Sequence, residues 1–199
     1  MLSRPGPLPS GSGWSFEVKW DGFRAVISTE QGLRIRSRRG WDMTPALPEL
    51  SGMPSGLVLD GELVAWRGSE PYFPLVGRRI LNGDTSIRLT YMIFDLLGID
   101  GTSLVERPYA ERRSVLEQLD LQGPYWNVTE TFDDGDALYK GVCDLGLEGV
   151  VAKQMTSRYG ATKRGWVKVK NPRYWRRDAE REAMARRRER GARGHIERV

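Results

Sequence analysis

The chain has 199 residues, with 31 Lys and Arg against 26 Asp and Glu and a formal net charge of +5, a length that suits one globular domain with a small appendage. Hydrophobic residues make up 39% of the chain and no apolar stretch approaches the roughly 18 residues of a membrane span, which excludes disordered, fibrous and membrane-spanning proteins. A single cysteine and an N-terminus without an apolar leader predict a cytoplasmic protein without internal disulfides.

The basic surplus is concentrated at the C-terminal end. Residues 1–172 carry 21 basic and 21 acidic side chains, whereas residues 173–199 carry ten arginines and five acids. We therefore expect a neutral body over 1–172 and an Arg-rich, helical or disordered tail over 173–199. Only six basic residues are lysines, and these are of interest because a lysine, unlike an arginine, can lose its proton and act as a nucleophile.

In residues 1–172, the spacing of apolar residues and the turn signals predict short strands interspersed with helices after an extended N-terminal segment. The predicted strands, in chain order, are 16–20, 23–29, 33–38, 57–66, 88–97, 125–131, 149–154 and 166–170, and the predicted helices are 72–81, 108–119, 134–145 and 174–193. The Asp-Gly turn at 21–22 predicts a hairpin between the first two strands, and Gly61 indicates a bulge or a close backbone approach. This order lacks a regular strand–helix alternation, so it favours an α+β fold with antiparallel sheets.

The most informative segment is Lys19-Trp20-Asp21-Gly22-Phe23-Arg24, where a lysine ends a strand just before a tight turn. Strand alternation places Glu17 on the same face as Lys19, and the glycine lets a bound phosphate approach the backbone. Taken alone, the segment is also compatible with an ordinary turn that carries a surface lysine. Its interpretation therefore depends on the motifs that follow it along the chain.

Five further segments follow in an order that resembles the nucleotidyltransferase family of ATP-dependent DNA ligases, RNA ligases and mRNA-capping enzymes. They are Ser37-Arg38-Arg39-Gly40 with Asp42, Asp60-Gly61-Glu62, Phe94-Asp95, Glu148-Gly149-Val150-Val151-Ala152-Lys153 and Trp166-Val167-Lys168-Val169-Lys170. The segment FEVKWDGFRA is especially similar to bacterial ATP-dependent DNA ligases, including the end-joining type. The resemblance spans residues 17–170 and implies a nucleotidyltransferase (ATP-grasp-like) fold, in which antiparallel sheets are flanked by helices.

The resemblance implies a role for each candidate residue. Lys19 is the expected nucleophile, which takes AMP from ATP. The expected nucleotide-binding residues are Glu17 on the adenine amino group, Phe94 stacked on adenine, Arg24 and Arg38 on ribose and phosphate, Glu62 on the ribose, and Lys168 and Lys170 on the α-phosphate. Glu62 and Glu148 are the expected ligands of Mg²⁺ or Mn²⁺, which prefer hard carboxylate oxygens. The role of Lys153 stays open, because alternation places it opposite Glu148.

The implied reaction passes AMP from the lysine to a 5′-phosphate of nicked or broken duplex DNA, whose 3′-hydroxyl then displaces AMP and seals the nick. Ligases of this family continue into an OB-fold, for which the 29 residues after Lys170 are too few. We therefore expect an adenylation domain, with a separate OB-fold or DNA-end-binding repair protein as a candidate partner. Two alternatives remain open: an RNA ligase or capping-type enzyme, and a non-catalytic DNA-end-binding repair module.

Overall fold

Two β-sheets border a common cleft in the computed structural model, which describes residues 1–160 and 165–176. The strands are β1 (Arg4–Pro5), β2 (Trp14–Val18), β3 (Phe23–Ser28), β4 (Arg34–Ser37), β5 (Leu57–Arg67), β6 (Glu70–Pro71), β7 (Leu89–Ile99), β8 (Thr102–Ser103), β9 (Trp126–Val128), β10 (Gly149–Gln154) and β11 (Trp166–Lys170). The α-helices are α1 (Phe73–Asn82), α2 (Tyr109–Gln118) and α3 (Gly135–Asp144), and short 3₁₀ helices cover Thr44–Ala46 and Pro48–Gly52.

The two sheets are mixed but mainly antiparallel. The smaller sheet has the strand order β1-β11-β10-β2, and the larger has the order β4-β3-β5-β7-β8, with β6 added to β5 and β9 to β7. Among the described strands, only β1 with β11 and β7 with β9 pair in parallel. The α+β class is confirmed, and the expectation of wholly antiparallel sheets is corrected at these two pairings. Parallel partners need long connections, and each of these strands reaches its partner from a distant part of the chain.

The predicted hairpin between the first two long strands is wrong, because β2 and β3 belong to different sheets. β2 pairs with β10, whereas β3 pairs with β4 and β5. Residues 19–22 carry the chain from one sheet to the other. At Gly22 a Cβ atom would be 2.1 Å from the carbonyl oxygen of Leu63 in β5, so only glycine fits this crossing without a backbone shift.

Each sheet has its own hydrophobic core. Helices α1 and α2 pack on β5 and β7 of the larger sheet, over a core that includes Ile27, Leu63 and Ile93. Helix α3 packs on β2 and β10 of the smaller sheet, where Phe16 and Val150 are buried. The cleft is therefore bordered by two sheets, each stabilised by its own core.

Most predicted elements are confirmed to within a few residues, although β9 has three residues rather than the expected seven. Pro74 lies in the first turn of α1, and Gly83 ends that helix in the left-handed conformation, with a φ of 71°. A register shift beside Gly61 confirms the predicted irregularity, since a Cβ there would be 2.5 Å from the Tyr91 ring. From residue 177 onward, the predicted tail helix lies outside the described residues. In the described ranges no helix is both long and apolar enough to cross a membrane.

Candidate active site

A cleft of about 370 Å³ lies between the two sheets, around the connection from β2 to β3. Seven of the nine residues that the sequence predicts for the site line it: Glu17, Lys19, Arg24, Arg38, Glu62, Phe94 and Lys168. The remaining two, Glu148 and Lys170, join the site through Lys19. One oxygen of Glu148 is 2.6 Å from Lys19 Nζ, and the other is 3.3 Å from Lys170 Nζ. The structure therefore brings all nine predicted residues together.

The amine of Lys19 is held in place at the edge of the smaller sheet. Its backbone N–H donates to the carbonyl of Gly149 at 2.8 Å, and its Nζ donates to Glu148 Oε2 at 2.6 Å. The Lys19 side chain is 21% exposed, whereas that of Glu148 is 3% exposed. A buried carboxylate thus orients an amine that a molecule in the cleft can reach.

Two further lysines place positive charge beside this amine. Lys168 lines the cleft, and Lys170, two residues along β11, pairs with the same Glu148 that holds Lys19. This arrangement agrees with the predicted shared face of the two lysines, because residues two apart on a strand point the same way. Two lysines on one carboxylate, with a third lining the same cleft, suit the binding of a polyanion such as a triphosphate.

Glu62 is a second acidic group on the cleft wall, in the middle of β5. Burial raises the pKa of Glu62 to about 8, with Glu148 and Asp60 adding to the rise and Lys19 and Arg24 opposing it. The negative charges of Glu62 and Glu148 repel each other, and a divalent cation between two such carboxylates would relieve that repulsion. Such a cation takes one or two carboxylates and completes its coordination shell with phosphate and water oxygens. Within the described part of the chain, no group of three potential ligands forms.

Two aromatic rings, one from each sheet, also line the cleft. The rings of Phe94 and Trp166 have centroids 5.7 Å apart and meet edge to face, and the Arg24 guanidinium lies 5.4 and 5.5 Å from them. Arg24 donates to both oxygens of Asp60, at 3.0 and 2.5 Å, and Tyr159 donates to Asp60 at 2.7 Å. Burial opposes the charge of Arg24, but the hydrogen bonds to Asp60 raise its pKa above the usual value. Arg24 is therefore a fixed cation beside an apolar wall.

Lys153 is the member of the site to which the sequence assigned no role. It lines the cleft, its Nζ lies 2.7 Å from Glu17 Oε1, and it donates to the Phe94 carbonyl at 2.7 Å. The expectation that it lies opposite Glu148 rests on strand alternation, and β10 begins at Gly149, one residue after Glu148, so that placement stays a prediction.

Trp166 was also not predicted as a site residue, although it stands in the last motif. It is the cross-strand neighbour of Lys153 on β11 and lines the same cleft. The pairing of β10 with β11 would have identified Trp166 as a site residue, but the local sequence does not contain that information.

A family model and two relatives of known name all indicate the same protein family for this chain. The model of the ATP dependent DNA ligase domain matches residues 9–170. The multifunctional non-homologous end joining protein LigD of Mycolicibacterium smegmatis is 37% identical over 165 residues, which are 79% of this chain and 21% of that protein. The SPbeta prophage-derived DNA ligase-like protein LigB of Bacillus subtilis is 35% identical over 162 residues, covering 78% of this chain and 60% of that protein.

A solved structure agrees with these relatives. Mycobacterial DNA ligase D complexed with ATP and MES has a TM-score of 0.73 and 33% identity, covering 85% of this chain and 58% of that one. The chain thus spans between about a fifth and three fifths of the length of these relatives. Since the matched region contains Lys19 and every other residue of the site, the chain belongs to the family of the ATP dependent DNA ligase domain.

Proposed function

We propose that this chain is the adenylation domain of an ATP-dependent DNA ligase and that Lys19 takes AMP from ATP as a lysyl-AMP intermediate. The observation that carries the proposal is the Lys19 amine, partly exposed at the cleft and hydrogen-bonded at 2.6 Å to Glu148. Membership of the ATP dependent DNA ligase family supports ATP as the nucleotide that the cleft binds.

In the proposed step, the lone pair of Lys19 Nζ forms a P–N bond to the α-phosphorus while the bond to the bridging oxygen of pyrophosphate breaks. Nζ loses one proton before it attacks, for which Glu148 Oε2 at 2.6 Å is an acceptor already in contact, and it loses a second proton to water from the new P–N adduct as pyrophosphate leaves. Lys168 and Lys170 supply positive charge where negative charge grows on the phosphate oxygens.

The divalent ion of this reaction fits the two carboxylates at the cleft. We propose that Glu62 and Glu148 hold Mg²⁺ or Mn²⁺, because both are hard oxygen donors whose negative charges repel each other. When bound, such an ion stabilises negative charge on phosphate oxygens.

The remaining residues of the cleft would hold the nucleoside and the phosphates. Phe94 presents a ring for stacking on adenine, and Glu17 presents a carboxylate for its amino group. Arg24 is tied to Asp60, so it suits a fixed ribose contact, whereas the exposed Arg38 at the rim suits a phosphate. These roles remain proposals for each residue.

The later steps are proposed on the basis of the relatives. We propose that AMP passes to the 5′-phosphate of nicked or broken duplex DNA and that a 3′-hydroxyl then displaces it, which repairs the strand. The relatives include a DNA ligase and a non-homologous end joining protein, which favours DNA over RNA as the substrate. A separate OB-fold or DNA-end-binding repair protein remains the candidate partner.

Labelling tests the first step directly. After pyrophosphate has stripped any bound AMP, incubation with α-labelled ATP and Mg²⁺ should label the protein, and Lys19→Met should abolish the label. The matched control is Lys140→Met, which changes an exposed lysine of α3 and should label normally. A stripped wild-type protein that takes up no label, or a labelled Lys19→Met, would contradict the proposal.

A sealing assay tests the later steps. Nicked DNA, nicked RNA and DNA with a separate OB-fold protein are offered to the labelled enzyme. Faster AMP transfer to DNA than to RNA is expected, and preferential transfer to RNA would favour the RNA ligase alternative.

The proposed unit is residues 1–172, with residues 173–199 as an Arg-rich tail that contacts phosphates through charge. Tyr174 and Arg176 both bind Asp21, so a truncation that tests the tail should keep residues up to 176. Removing residues 177–199 is expected to preserve lysyl-AMP formation. It should lower the affinity for DNA and make that affinity fall less steeply with salt concentration. A truncated protein with unchanged DNA binding would exclude the tail as a contact.

A further inference from the structure

Lys153 is a buried cation that the proposed chemistry leaves unused. Its side chain is 1% exposed, yet the residue lines the wall of the cleft beside Phe94. Its Nζ lies 4.7, 4.8 and 4.5 Å from the ring centroids of Phe94, Tyr109 and Trp166, and it donates to the Phe94 carbonyl at 2.7 Å. Three ring faces and a carbonyl all favour the charged ammonium, which partly offsets its loss of water.

The partner of this cation is Glu17, which is itself 3% exposed in its side chain. Lys153 Nζ lies 2.7 Å from Glu17 Oε1, and the Tyr109 hydroxyl donates to the same oxygen at 2.5 Å. Both of these contacts are made by Oε1, and Glu17 is also one of the residues that line the cleft.

The charge of Glu17 depends on this neighbour. Burial raises the pKa of Glu17, and the charge and hydrogen bond of Lys153 are the main effects that oppose the rise. Arg113 also acts on Glu17, but it is engaged with Glu117 at 2.7 Å. Asp95 is the other acid that acts on Lys153, and a buried arginine already holds it. Lys153 is therefore the cation in direct contact, at 2.7 Å, that favours the ionised form of Glu17 against its burial.

The state of Glu17 decides which base it can accept. An ionised carboxylate only accepts hydrogen bonds, so it matches a 6-amino purine and opposes the acceptor oxygen of a 6-oxo purine. A protonated Glu17 could donate to that 6-oxo group. A site built around one hydrogen-bond pattern rejects the other pattern strongly.

We propose that Lys153 is a positioning residue that determines base choice, because it holds Glu17 ionised and oriented so that the cleft selects nucleotides with a 6-amino purine. The inference rests on the proposed function, in which Glu17 faces the adenine of ATP. It adds to that function a buried residue outside the pair of Lys19 and Glu148, whose polar contacts are to Glu17 and Phe94.

The experiment compares ATP with ITP, which has a 6-oxo group in place of the 6-amino group. The wild type, Lys153→Met and Lys140→Met are each measured for the ratio of kcat/KM in lysyl-nucleotide formation with the two nucleotides. Because both substrates meet the same preparation, the ratio does not depend on how much of a variant is folded. We expect the ATP:ITP ratio to fall about tenfold or more in Lys153→Met and to stay at the wild-type value in Lys140→Met.

A second variant and a binding assay keep the inference open to refutation. Glu17→Gln places an amide, which both donates and accepts, at the same position and should lower the ratio in the same direction. Equilibrium binding of ATP and ITP to the same proteins gives the ratio even if no covalent step occurs. An unchanged ratio in Lys153→Met would overturn the inference. Absence of label with preserved ATP preference in binding would instead count against the proposed function alone.

Discussion

The buried ion pair between Asp95 and Arg112 leads to a large and measurable loss of stability when it is broken. Both side chains are 0% exposed, and the guanidinium donates two hydrogen bonds of 2.8 Å to the carboxylate. Asp95→Ala would leave the guanidinium with two carbonyl acceptors, those of Arg107 and Ser157. Because an unpaired buried charge costs about 3–5 kcal/mol, we expect the free energy of unfolding to fall by that amount.

Urea denaturation followed by tryptophan fluorescence measures this loss, and a thermal scan should show a midpoint lower by about 6–20 °C for a domain of this size. The matched control is Glu70→Ala, which breaks the exposed pair between Arg67 and Glu70 and should leave stability nearly unchanged. A loss below about 1 kcal/mol in Asp95→Ala would show that the buried pair contributes no more to stability than an exposed pair does.

Three substitutions in and around the cleft have separate expected outcomes. In Gly22→Ala the added Cβ would be 2.1 Å from the Leu63 carbonyl oxygen, so the connection that carries Lys19 must shift. The rate of lysyl-AMP formation should therefore fall about tenfold or more. An unchanged rate would show that glycine is not required at this position. Phe94→Leu should raise the KM for ATP more than it lowers kcat, and an unaltered KM would argue against base stacking. Burial raises the pKa of Glu62 to about 8, so without metal the folded state keeps a proton that the unfolded state loses above pH 4.5. Stability of the wild type relative to Glu62→Gln, measured in EDTA, should therefore fall as pH rises from 4.5 to about 8, and a difference that does not vary with pH would contradict this.

Local sequence patterns were sufficient for most of the elements. The long apolar runs of β5 and β7 and the proline and glycine that bound α1 each act within a few residues, so spacing alone predicts them. The turn at Asp21-Gly22 also has a local signal, but the signal does not state which strands will pair. The chain uses that turn to change sheets, which only the tertiary structure reveals.

The candidate site was predicted mainly through the family resemblance, and its supporting contacts were not. Asp60 holds Arg24 from 36 residues away, and Asp95 holds Arg112 from 17 residues away. Such pairs depend on the register between β3 and β5 and on the packing of α2 on β7. Lys153 was missed for a related reason, since its partner Glu17 lies on a strand whose pairing with β10 the sequence did not indicate.

Mass spectrometry of the peptide that contains Lys19 is the most direct test of the central claim. After stripping with pyrophosphate and incubation with ATP and Mg²⁺, we expect one AMP bound to Lys19 through an acid-labile phosphoramidate that added pyrophosphate reverses. A stripped protein that gains no AMP, or that carries it on Lys153, Lys168 or Lys170 instead, would rule out Lys19 as the nucleophile.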